Sequence, residues 1–182
     1  MARTGQILEI ENSGGKTVIT ISAKDSKGQI AQMESIMQPG TKLPTLPHYH
    51  NAQEEKIEVL SGEITVLLAG KTFKVKSGEE IIFPKGKVHN FWNEGNVTAQ
   101  YRVEHKPALE IQHFIETLVG LAKNGKLKYN DSLSDKMQMA VVVDYYKATL
   151  QIPMPLKLGV KILALIGRIS GRKGYIPEYL ED

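Results

Sequence analysis

Three histidines and a pair of glutamates between positions 48 and 89 have the residue types and the spacing to surround a metal ion. The run Pro47-His48-Tyr49-His50-Asn51-Ala52-Gln53-Glu54-Glu55 places two imidazoles two residues apart. On an extended strand such residues point to the same face. A carboxylate follows a few residues on, and a third imidazole, His89, arrives after Pro84-Lys85-Gly86-Lys87-Val88. Iron, manganese, zinc, nickel and copper all accept nitrogen and oxygen donors of this kind. Adjacent glutamates on a strand face opposite sides, so one of Glu54 and Glu55 can be a ligand and the other is solvated.

These residues also carry a resemblance. The stretch resembles the cupin superfamily of small β-barrels, whose first motif is G-x5-H-x-H-x3,4-E-x6-G. His48, His50, Glu55 and Gly62 fall on it with the four-residue spacer. The second motif, G-x5-P-x-G-x2-H-x3-N, is matched at every position by Gly78, Pro84, Gly86, His89 and Asn93. One departure precedes the first ligand, where seven residues rather than five separate Gly40 from His48. The match covers roughly residues 30 to 105. It implies that His48, His50, Glu55 and His89 are the ligands of one divalent metal ion, with Glu54, Glu58 and Glu63 left as surface charges. Three neutral imidazoles and one carboxylate leave the ion at net +1 and leave coordination positions open, as a catalytic site requires. The resemblance also implies a homodimer.

The elements that must position these ligands read as mainly β. Ile7–Glu11 and Thr17–Ile21 form a hairpin around Asn12-Ser13-Gly14-Gly15. A strand over Ile30–Met37 breaks at Pro39-Gly40, and a loop over Thr41–Pro47 leads to the first ligand. Strands then follow over Lys56–Leu60, Glu63–Leu68, Thr72–Val75, Glu80–Phe83 and Val97–Glu104, punctuated by glycine and proline. Many short strands at even spacing predict a barrel or sandwich. Residues 1–107 are thus expected to form a cupin-like (jelly-roll) β-barrel, with its motif core at 40–93. Pro84 and Gly86 are read as a turn, and Asn93 as a side chain that hydrogen-bonds a turn backbone.

After Pro107 the apolar period lengthens. Ile111, Phe114, Ile115, Leu118 and Ala122 define one helix face, ended at Asn124-Gly125. Ser132, with Asp135 three residues on, opens a second helix that carries Met137, Ala140, Val141, Tyr145 and Ala148 inward until Pro153 and Pro155. A third runs from Leu156 to Ile169. Residues 108–182 are therefore expected to be a C-terminal α-helical extension, packed on the barrel or on a dimer partner. In the last helix a stripe of Lys157, Lys161 and Arg168 borders a wide apolar arc, so contact of 156–173 with a membrane surface is a minor alternative to protein cover.

Tyr49, Phe91 and Trp92 flank the ligands and are candidate walls of a substrate pocket, with core packing as the plainer reading. His105, in the charged run Arg102-Val103-Glu104-His105-Lys106, is expected in solvent, and His113 beside the first helix stripe. No residue declares itself the catalytic base.

Composition bounds the rest. A charge of +3 without a basic run, and without a basic recognition helix, gives no reason to expect nucleic acid. The absence of cysteine, of an apolar leader and of a spanning segment fits a cytoplasmic protein. Two functions remain open: a metal-dependent enzyme, oxygenase or isomerase, acting on a small organic molecule, or a non-enzymatic module that binds or senses a small ligand.

Overall fold

The structure is a computed structural model and describes residues 3–10, 15–40 and 46–180. Among the described residues, nine strands and three α-helices follow in chain order. The strands are β1 (Ile7–Ile10), β2 (Gly15–Ile21), β3 (Ala31–Met37), β4 (Glu54–Ser61), β5 (Glu63–Leu68), β6 (Lys71–Lys76), β7 (Glu80–Phe83), β8 (His89–Trp92) and β9 (Ala99–Lys106). The helices are α1 (Ile111–Lys123), α2 (Leu133–Tyr145) and α3 (Leu156–Ile169). Six strands form one antiparallel sheet in the order β1-β2-β3-β9-β4-β7, and three form a second in the order β6-β5-β8. This is the jelly-roll architecture with a helical extension that the sequence predicts.

Alternation builds the barrel core. β3 and β9 bury every second residue, Ala31, Met33, Ser35 and Met37 on one and Ala99, Tyr101, Val103 and His105 on the other. Ile57, Val59, Ile64 and Val66 are fully enclosed between the sheets. Each such side chain contributes about 1.5–3 kcal/mol of burial. Because a strand faces the core with a period of two, this core also fixes which way the ligands point.

Turns hold the register. Gly62 joins β4 to β5 at φ +74°, and a Cβ there would stand 2.6 Å from the Thr98 carbonyl oxygen. Gly86, at φ +74°, turns the chain after Pro84. Asn93 does what its type predicts: its amide donates to the carbonyls of Val97 (2.8 Å) and Met37 (3.0 Å), and its oxygen accepts from the Gly95 N–H (2.9 Å).

The extension has its own core, centred on Leu121, Val142, Tyr146 and Leu150. α1 reaches the barrel core through Val119 and the flanking Ile115. Ser132 caps α2 by accepting from the Asp135 N–H (3.2 Å). The Asp135 carboxylate accepts instead from Lys128 and Asn130 N–H, tying down the loop before the helix. Two expectations for α2 fail. Tyr145 is about half exposed while Tyr146 is fully buried, and Ala148 lies exposed beyond the helix end. The chain leaves α2 early because Tyr146 turns in to meet the Thr117 hydroxyl (2.9 Å). Residues Thr149–Ile152 then run back to the barrel.

Candidate metal centre

The two sheets meet at the histidines. β4 supplies Glu55 and β8 supplies His89, one from each sheet. His48 and His89 form a two-hydrogen-bond bridge, His48 N to His89 O at 3.0 Å and the reverse at 2.8 Å. Gly86 N–H donates to the His50 carbonyl at 2.8 Å, which ties the segment carrying the first two histidines to the turn before the third. All four side chains are buried, at 1–5% exposure. One donor atom from each lies within 4.8 Å of the others. Opposite donors around an ion with bonds of about 2.1 Å are roughly 4.2 Å apart, so the set fits a divalent ion with little movement.

The protonation pattern makes the stronger case. A carbonyl oxygen only accepts, so each ring nitrogen facing one must carry a hydrogen. His48 Nδ1 donates to Leu46 O (3.0 Å), His50 Nδ1 to Thr149 O (2.5 Å), and His89 Nδ1 to Lys87 O (2.8 Å). All three rings therefore have Nε2 left for the site. A neutral imidazole carries one hydrogen, so each Nε2 bears a lone pair. Yet His50 Nε2 lies 3.1 Å, and His89 Nε2 3.0 Å, from the same carboxylate oxygen, Glu55 Oε2. Lone pairs do not converge on a buried carboxylate unless positive charge sits between them. Either both rings take a second proton, or one cation serves all three groups. Two imidazolium rings 5.3 Å apart in a buried site would repel each other strongly.

The site's titration follows the same lines. Burial, helped by the neighbouring His89, pushes His48 down to about 3. Burial works against a charge on His50 as well, but the hydrogen bond and charge of Glu55 prevail and raise it. Burial alone would raise Glu55; the surrounding His105, His50 and His89 hold it well below the usual carboxylate range.

His105 is a correction to the sequence reading. It is buried at 4% exposure rather than solvated, and its Nε2 lies 3.7 Å from Glu55 Oε2. It is the register partner of Glu55 across β4 and β9. The alternation of β9 required this, since Tyr101 and Val103 face inward and His105 shares their parity. The charged neighbours Arg102, Glu104 and Lys106 lie at the other parity. Its Nδ1 has no hydrogen-bond partner among the described residues. Burial holds it neutral, down to about 4. Tyr101, on the same face, is also kept in its neutral form, pushed up to about 12 by burial.

The remaining sequence candidates are placed as follows. Phe91 faces inward with His89 and lies in the core, edge-on to Tyr101 at 5.3 Å. Trp92 is on the opposite face of β8, its indole N–H donating to Glu94 at 3.2 Å. Tyr49 alternates with the two histidines and pairs through its backbone with Gln151. Glu54 is exposed; Glu58 and Glu63 pair with Arg102 (2.7 Å) and Lys74 (2.5 Å). His113 is half-buried on α1. Phe83 was not singled out by the sequence. It stacks on His89 with centroids 4.3 Å apart and planes 5° from parallel, fixing the ring. Nor does the sequence signal the Thr149 carbonyl, 99 residues from the histidine it orients. A surface hollow lined by Gly62, Lys76 and Asn96 among others contains none of the four clustered residues.

Comparison with known proteins places this centre in context. Residues 33–103 match the family profile described as a cupin domain. A polyketide synthase of Streptomyces cyaneus, CurC, is 33% identical over 66 residues, which are 36% of this chain and 42% of that protein. The chain thus aligns with less than half the length of that relative. Among solved structures, the cupin domain of Schizosaccharomyces pombe Cnp3 is 19% identical, covering 56% of this chain and 68% of that one with a TM-score of 0.47. The polyketide cyclase RemF of Streptomyces resistomycificus is 25% identical, covering 58% and 70% with a TM-score of 0.45.

Proposed function

The chain belongs to the cupin superfamily through its barrel, residues 33–103, and from that premise we propose that it is a metal-dependent enzyme that moves a proton on a small carbonyl compound. The observation that carries this reading is the convergence of two Nε2 lone pairs on Glu55 Oε2. His48, His50, Glu55 and His89 would hold one divalent ion, and iron, manganese, zinc, nickel and copper all suit such donors. Bound there, the ion supplies Lewis acidity toward a substrate oxygen.

The chain's own residues do the rest. The three Nδ1–H groups bonded to Leu46, Thr149 and Lys87 carbonyls lock the rings with Nε2 inward. Burial of the site strengthens every charge interaction within it. His105 is neutral, buried and short of a hydrogen-bond donor at Nδ1, which suits it to accept a proton. The protonated ring can return the same proton to another carbon or oxygen of the substrate, while Tyr101, on the same face of β9, remains an O–H group through the physiological range. A proton carrier at His105, the register partner of Glu55 on the adjacent strand, favours an isomerase-type reaction over an oxygenase. The relative named as a polyketide synthase agrees, since polyketides are rich in carbonyl oxygens.

The test is hydrogen exchange. Metal-loaded protein is incubated with an enolisable β-dicarbonyl compound in deuterium oxide, and incorporation is followed by NMR. The reading expects exchange above that of free metal, abolished in His105→Leu with metal content retained. Oxygen uptake without exchange would make it an oxygenase. Tight ligand binding with neither would make it a binding module.

A further inference from the structure

α3 turns its most apolar face away from the protein. Two of its residues, Ala164 and Gly167, are buried, and they face α2. The approach there is close, since a Cβ on Gly167 would lie 2.6 Å from Val141 Cγ2 and 3.1 Å from the Met137 carbonyl. At 100° per residue, Leu158, Ile162, Leu165, Ile166 and Ile169 occupy the arc opposite that contact. They are 48–80% exposed. Met154, at 70%, extends the patch beyond the helix start. Isolated exposed leucines need no explanation, but five on one face with a sixth beside them mark an interaction surface.

Charge selects the occupant. Residues 156–173 carry five cations, Lys157, Lys161, Arg168, Arg172 and Lys173, and no acid. Asp144 of α2 pairs with Arg168 at 2.5 Å. Arg172 bonds the neutral hydroxyls of Ser134 and Ser170, so its charge is not cancelled. Lys157, Lys161 and Arg168 line one edge of the apolar arc. In an antiparallel two-fold pairing of this helix with itself, that edge would meet its own copy, cation against cation. A surface that offers apolar depth and negative charge satisfies both needs at once. Fourteen residues span about 21 Å, short of the roughly 30 Å hydrocarbon core. No described helix is long and apolar enough to cross a membrane. We infer that α3 docks the protein in the plane of an anionic lipid bilayer, its exposed leucine and isoleucine side chains in the acyl boundary and its lysines at the headgroups.

The experiment is co-sedimentation of the full chain with vesicles of phosphatidylcholine alone and of phosphatidylcholine with phosphatidylserine. The protein is expected to pellet with the anionic vesicles, and less so as salt rises. Lys157→Ala with Lys161→Ala should weaken binding about 25-fold, at about fivefold per lysine. Ile162→Glu with Leu165→Glu should abolish it. Both side chains are exposed, so circular dichroism and thermal melting of that variant should match the parent. No pelleting with anionic vesicles, or pelleting that both variants retain, overturns the inference. So does a dimer in analytical ultracentrifugation that Ile162→Glu with Leu165→Glu dissolves while vesicles capture nothing; the face would then belong to a second copy.

Discussion

Metal binding near neutral pH should release a proton, and its source can be worked from the rings. His48, held down to about 3, has no proton to lose on Nε2. His50 lies between the Thr149 carbonyl and Glu55, and its raised pKa means that metal-free protein keeps its second proton above the ordinary 6.5. His105, at about 4, contributes none. Between pH 6 and 7 affinity should therefore rise, by up to about tenfold for the one displaced proton. Titration calorimetry with zinc, repeated in buffers of different ionisation enthalpy, counts the protons directly. Glu55→Gln supplies the control: without the carboxylate His50 returns to single protonation, and the count should fall toward zero. Release of no proton would refute the reasoning, because the Glu55–imidazole contact would then not be the place the ion takes.

Three further outcomes follow from the same structure. Metal-free protein should be acid-labile. His48 and His105 are buried neutral with folded values near 3 and 4, below the 6.5 of the unfolded chain. Their stability is present above pH 6.5 and is lost as pH falls toward 4, at about 2 kcal/mol each by pH 5; the raised His50 opposes this. Urea melts at pH 7 and pH 5 measure it, His105→Leu should remove about half the loss, and equal or greater stability at pH 5 would contradict it. Gly62→Ala forces a positive φ on alanine and a Cβ against Thr98 O, for about 3 kcal/mol and a fall of roughly 6–12 °C in Tm; an unchanged Tm would refute the turn argument. Leu150→Ala, at a 2% exposed site next to Thr149, should cost about 2–5 kcal/mol and also weaken metal binding about tenfold, since the carbonyl that orients His50 moves. Lost stability with unchanged affinity would separate the extension from the centre.

The clustering of His48, His50, Glu55 and His89 was legible in sequence because motif spacing and strand alternation both act locally. His48 and His50 had to share a face, and Glu55 rather than Glu54 had to turn inward. β5 and β7 were read at their observed limits, since glycines and prolines mark their ends. β8 was missed: four residues between a proline turn and Asn93 are too few to show a period. His105 was misread because its charged neighbours suggested solvent, although they sit on the other face of a strand whose inward residues are Tyr101 and Val103. The exit from α2 at Tyr146 and the Thr149 carbonyl bonded to His50 were beyond reach, because both depend on contacts between distant parts of the chain. The loop over Thr41–Pro47 falls largely outside the described residues.

The central claim is that four side chains take one metal ion, and metal content tests it most directly. Untagged protein and a His48→Ala, His89→Ala variant would be analysed by plasma mass spectrometry, as purified and after incubation with each candidate ion. The account predicts one equivalent of a divalent transition metal in the parent and none in the variant. A parent that stays metal-free throughout, or a variant that retains its metal, would contradict it.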